Sequence, residues 1–193
     1  ALEQAQALIE RAGPTEADIF RRWFDVSLLT GHEDFACAAM SASPGFAPTM
    51  QARVFCLARN GDWNAAALTL ATGTVLGLIS ESEADLLERF LDPSLFENEP
   101  DIPAPNPLTP LVFTMREAIA MPRPSGTLPL AFANIDLKRS AAWRTQLEAA
   151  ERLSRTQALD PHRLINLYTQ KRPAATGGVW NRVEAVQAFD VAL

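Results

Sequence analysis

Apolar residues recur at helical spacing along most of the chain, and clean alternation of apolar and polar positions is missing, so the pattern predicts helices and no sheet. Ala5, Leu8 and Ile9 form a first stripe that ends near Gly13. Pro14-Thr15-Glu16-Ala17-Asp18 then supplies an N-cap with acids in the first turn. Ile19, Phe20, Trp23, Val26 and Leu29 share the next face, and Gly31 closes that helix. Further helices are predicted from Glu33 to about Ser41 and from Pro48 to Arg59, with turns at Ser43-Pro44-Gly45 and Asn60-Gly61-Asp62. Residues 63–76 have some β character, but their alanines and the Gly77 stop favour a helix. Ser80-Glu81-Ser82-Glu83 reads as a capping box opening a helix through Leu86, Leu87, Phe90 and Leu91.

Six prolines between Pro93 and Pro110 forbid a continuous helix there. This stretch is the expected linker between an N-terminal helical-hairpin array, residues 1–92, and a C-terminal helical region, residues 111–193, which could continue the same array. Thr109-Pro110 supplies an N-cap and an N1 proline for the following helix, and a short helix is expected around Leu130 to Ile135. Trp143, Leu147, Ala150 and Leu153 make a later stripe, with Glu148–Arg152 and Glu151–Arg155 as i,i+4 pairs on the opposite face. Asp160-Pro161 starts another helix. Val179, Val183, Val186, Phe189 and Leu193 make the last stripe, widened by Trp180 and without a stop signal. The expectation is either a polypeptide continuing beyond Leu193 or self-association near Trp180 and Phe189.

Asp34-Phe35-Ala36-Cys37-Ala38-Ala39-Met40 is echoed 28 residues later by Asp62-Trp63-Asn64-Ala65-Ala66-Ala67-Leu68, each copy just after a glycine. An acid, an aromatic and small residues after a turn suit the second helix of a hairpin. Over residues 28–76 this resembles tetratricopeptide-like hairpins, although the period is shorter than the roughly 34 residues of that repeat. The resemblance is therefore to the class. The fold expected is all-α, with antiparallel helix pairs stacked as a short solenoid-like array. Phe55-Cys56-Leu57-Ala58-Arg59-Asn60-Gly61-Asp62, the Ala/Leu helix after it and the Pro-rich break before Pro107-Leu108-Thr109-Pro110-Leu111 also resemble a group of uncharacterised exported helical proteins of alphaproteobacteria. That resemblance implies a periplasmic or cell-envelope location and no known activity; the cytoplasm is the alternative.

Composition narrows the function classes. Apolar residues at 48% and charged residues at 21% are ordinary for a globular chain, and 193 residues are enough for a sizeable core. A net charge of −6 disfavours nucleic acid as a partner. The longest apolar runs fall short of the roughly 20 residues of a membrane span. The chain starts at Ala1 without Met or a signal-like segment, so a leader or longer N-terminal region removed earlier is allowed for.

No residue group has the spacing of a catalytic, cofactor or metal site. His32 and His162 are far apart in sequence, no Gly-x-Ser-x-Gly elbow is present, and Glu97, Glu99 and Asp101 lack the loop pattern of a calcium site. Glu81-Ser82 invites comparison with soluble lytic transglycosylases, but the Gly-Leu-Met-Gln type segment of those enzymes is absent, so Glu81 and Glu83 read as capping residues. Cys37 and Cys56 fall at similar heights on either side of the Ser43–Pro48 turn, so a disulfide is geometrically allowed beside the alternative of two buried thiols. The function expected is a protein-binding or scaffolding module with no cofactor, whose partner is another protein or further helical repeats. The alternatives are a non-catalytic part of a cell-envelope enzyme acting on peptidoglycan or another polymer, and a small-ligand binder using Trp23, Trp63 or Trp143 as walls.

Overall fold

In the structure, a computed structural model that describes residues 2–123, 128–138 and 140–192, side-chain capping chemistry starts half of the helices. The ten α-helices among these residues are α1 Leu2–Ala12, α2 Ala17–Thr30, α3 Glu33–Ala42, α4 Met50–Arg59, α5 Trp63–Val75, α6 Glu81–Leu91, α7 Pro110–Ala118, α8 Trp143–Ser154, α9 Pro161–Thr169 and α10 Val179–Ala192. The described residues contain no strand. Short 3-10 turns occupy Pro44–Phe46, Pro93–Phe96 and Leu130–Leu137. The side chains of Thr49, Asp62, Ser80, Thr109 and Asp160 each accept a backbone N–H of the first helical turn, which satisfies donors that no preceding turn can reach. At α2 the N-cap is Glu16, and its side chain makes no capping bond. Gly31 ends that helix in the left-handed region, φ 83°, where a side chain would be strained.

The chain divides into two compact units, one of residues 6–128 and one of residues 129–193 with residues 1–5. The division falls after residue 128, whereas the proline content had pointed to 93–110. Two buried arginines explain the difference. Arg89 donates to Asp85, Glu99 and the Pro100 carbonyl and lies over the Phe96 ring, while Arg116 donates to the carbonyls of Ile102 and Pro122. A proline-rich stretch with little backbone pairing of its own is thus tied to α6 and α7 by side chains from helices on both sides of it.

Within residues 6–128, α2 packs on α3, α3 on α4, α4 on α5 and α5 on α6, and α7 returns to α2 and α6. The shared core takes Phe20, Phe24 and Leu28 from α2, Phe55 from α4, Leu87 from α6 and Met115 from α7. Cys37 of α3 and Cys56 of α4 are both buried and joined as a disulfide, with Cα atoms 4.8 Å apart. The echoed aromatics do not enter this core. Phe35 and Trp63 are 68% and 52% exposed, while the small residues beside them, Ala36 and Ala66, are fully buried. The repeat therefore places small residues at the helix contacts and aromatics on the surface.

The first stripe also docks differently from its apolar pattern. Leu8 is 70% exposed and Gln6 is buried. Gln6 donates to Glu10 and accepts from the Thr30 hydroxyl, and the Trp23 indole N–H also donates to Glu10. A polar cluster thus holds this end of α1 to α2.

In residues 129–193, α8 packs on the 3-10 segment Leu130–Leu137 and on α9 and α10. Leu147, Tyr168, Val179 and Val183 surround Trp143, whose indole N–H donates to the Leu167 carbonyl. Leu193, the last member of the C-terminal stripe, lies outside the described residues, as does Pro124. Among the described residues, no helix is long and apolar enough to cross a membrane.

Candidate protein-binding surface

In the unit of residues 129–193, polar side chains from α8, α9 and α10 meet around one carboxylate. Glu151, expected on the outer face of α8 beside Arg155, is buried instead. Its Oε1 accepts from the Tyr168 hydroxyl at 2.7 Å and from Arg182 Nε at 2.7 Å, and its Oε2 accepts from Arg182 Nη2 at 2.6 Å. Arg155 stands 3.8 Å away, and Glu148 pairs with Arg144. Burial works to raise the Glu151 carboxyl, but the Arg182 and Tyr168 hydrogen bonds and the two arginine charges outweigh it and hold the group below its ordinary value. Burial, then the bond to Glu151, pushes the Tyr168 phenol up to about 12. Both carboxylate oxygens of Glu151 and the Tyr168 hydroxyl have partners within the fold, which suits a structural lock. It provides no second carboxylate and no activated nucleophile.

The other ionisable candidates stay apart. His32 Nδ1 lies 3.2 Å from the Thr30 hydroxyl, and His162 is in the exposed first turn of α9, in the other unit. Glu83 completes the Ser80 capping box, and Glu99 is held by Arg89. No three His, Cys, Asp or Glu side chains among the described residues are grouped to hold a metal ion. Asp25 on α2 has its carboxyl raised by burial, opposed by the Arg21 charge, but it is a lone group.

A broad open cleft of about 1140 Å³ runs between residues 169–176 and α10. Lys171, Arg172, Glu184 and Asp190 stand along it, and none of Trp23, Trp63 or Trp143 forms a wall.

Exposed apolar surface is more telling. Trp180 is half-buried against Trp143, ring centroids 5.1 Å apart, so most of its apolar contact is met within the fold. Phe189 and Val191 project from the last turns of α10 at 66% and 87% exposure. The larger apolar face belongs to α5. That helix buries Ala66, Leu70 and Gly73 and turns Leu68, Val75 and the following Leu76 and Leu78 outward, at 70%, 86%, 64% and 59% exposure.

Between Trp63 and Ser80 there is no charged residue. An ordinary surface helix carries its charges on the side away from the core, and α5 has small and aliphatic residues there instead. Its apolar composition all round is what hid this face: a helix apolar on every side reads as buried. From Leu68 to Leu76 these side chains span about 12 Å along the helix axis. Contiguous apolar surface of this kind marks sites of macromolecular contact. No protein-family model, no curated protein and no solved structure matches this chain.

Proposed function

We propose that the chain is a protein-binding or scaffolding helical module with no catalytic activity of its own. The uncharged, exposed face of α5 carries this reading. Exposed Leu68 and Val75 on one face of α5, with Leu76 and Leu78 just after it, are the usual material of a binding patch, because their burial stabilises a complex without the desolvation cost of charges. The disulfide between Cys37 and Cys56 is of the kind that persists in an oxidising compartment, which supports a periplasmic or cell-envelope location as part of this reading.

The test is affinity capture from the native host, with the intact chain as bait beside Leu68→Glu and Val75→Glu. Proteins held by the unaltered chain should be lost from both variants while the circular dichroism of all three baits stays the same. Identical sets of captured proteins, including further copies of the chain itself, would remove the reading.

A further inference from the structure

We propose that Asn60–Gly61 is a modification site that the closed α3–α4 hairpin protects: once the hairpin opens, Asn60 converts to aspartate and isoaspartate without an enzyme, and the opening leaves a permanent mark on the chain.

Sequence singles out the position. Asn60 is the only one of the seven asparagines that is followed by glycine. Glycine has no side chain to shield its backbone nitrogen, so that nitrogen can reach the preceding side-chain amide. The Gly61 nitrogen attacks Asn60 Cγ and gives up its proton to solvent, a five-membered imide closes, and the side-chain nitrogen leaves as ammonia. Water then opens the imide. Cleavage of the new bond to Cγ gives aspartate, and cleavage of the original peptide bond gives isoaspartate, whose main chain runs through Cγ. Either way, Asn60 and one water yield one acid and one ammonia.

The fold holds both reacting groups out of position. Asn60 follows α4 with ψ 1°, so the Gly61 nitrogen eclipses the Asn60 backbone nitrogen across the Cα–C bond, whereas ring closure needs it to eclipse Cβ. The Gly61 N–H donates to the Ala58 carbonyl at 2.9 Å and the Asp62 N–H to the Leu57 carbonyl at 3.0 Å, so turning that peptide breaks both bonds. Asn60 Nδ2, the leaving group, donates to the Ser41 hydroxyl at 2.7 Å and is thereby tied to the end of α3. It also stands 3.5 Å from the carbonyl of Cys37, which is bridged to Cys56 one helical turn before Asn60. The bridge that joins the two helices thus keeps this turn closed, even though Asn60 and Gly61 are themselves exposed to water. Conversion proceeds from locally opened chains, and its rate follows their population.

Neither product restores the original contacts. A carboxylate has no hydrogen to donate toward the Cys37 carbonyl, and isoaspartate adds a methylene to the main chain of a turn closed by two backbone bonds.

The test incubates the intact oxidised chain, the chain kept reduced with a phosphine, and the chain in guanidinium side by side at mildly alkaline pH. Mass spectrometry follows the peptide containing Asn60, and methyl transfer by an isoaspartate methyltransferase counts isoaspartate. Conversion should be roughly tenfold or more slower in the oxidised chain than in guanidinium, and faster in the reduced chain than in the oxidised one, up to the denatured limit. Ser41→Ala, with the bridge intact and circular dichroism unchanged, should convert roughly two- to tenfold faster than the unaltered chain. Asn64 and Asn181, neither followed by glycine, should stay intact throughout. No conversion in guanidinium, equal rates in the oxidised and denatured chains, a reduced chain no faster than the oxidised one, or a Ser41→Ala chain with an unchanged rate would each overturn the proposal.

Discussion

Tyr168 is the only tyrosine in the chain, so its ultraviolet titration reads one group without overlap. Its phenol is raised to about 12 in the fold, so the folded state favours the protonated hydroxyl. That contribution is fully present below the unfolded value near 10 and is lost as pH rises toward about 12. Native protein should ionise its tyrosine near 12 and denatured protein near 10, and coincident curves would show the hydroxyl free of Glu151. Glu151 works in the opposite sense. Its carboxyl is held below the ordinary value of 4.5, so its contribution is present above that value and is lost as pH falls through the folded one. Glu151→Gln should cost about 1–3 kcal/mol near neutral pH, by denaturant unfolding, and should flatten the acid limb of the stability curve. Nothing near Glu151 in the sequence announces this role, since its partners arrive 17 and 31 residues later. Arg89 and Gln6 also have i,i+4 partners, Asp85 and Glu10, but the contacts that bury them, to Pro100 and Thr30, come from outside their own helices.

At the scale of elements, helix starts were legible because a cap is local chemistry. Ser80, Thr109 and Asp160 act within three residues of themselves, whereas the helix expected from Pro48 starts at Met50, with Thr49 as its cap. The end of α5 depends on a closer fit. The chain folds back so that Leu78 and Ile79 donate their N–H groups to the Gly73 carbonyl, and the Ile79 side chain lies over the glycine. A Cβ at Gly73 would stand 2.7 Å from Ile79 Cδ1 and 3.0 Å from Cγ1. Gly73→Val should therefore destabilise residues 6–128 by about 1–3 kcal/mol, despite removing a poor helix former. Because Ile79 is itself buried, Gly73→Val together with Ile79→Ala should cost less than the sum of the two single changes. If thermal melts show Gly73→Val to be neutral, the close approach is not maintained in solution. That α5 is a helix could be read from its alanines, but which side it buries could not, because one apolar face looks like another until α4 and α6 are in place.

For the molecule as a whole, the two units have separate stabilising devices. The disulfide lies in residues 6–128, and the Glu151 cluster in residues 129–193. Closing a loop between positions 19 apart removes unfolded-state entropy worth about 3 kcal/mol. Replacing both cysteines with alanine should lower the thermal midpoint of residues 6–128 by roughly 6–12 °C. Hydrogen exchange followed by residue should place the lost protection in α2 to α7 and leave the Trp143–Val183 core as it was. Loss spread evenly over both units would mean that they unfold as one. The sequence spacing of the bridge has a further consequence in time. A chain emerging N-terminus first at about 5–20 residues per second delivers Cys56 a few seconds at most after Cys37. In an oxidising compartment the α3–α4 hairpin can thus be sealed before α5, with its uncharged outer face, has packed on α4.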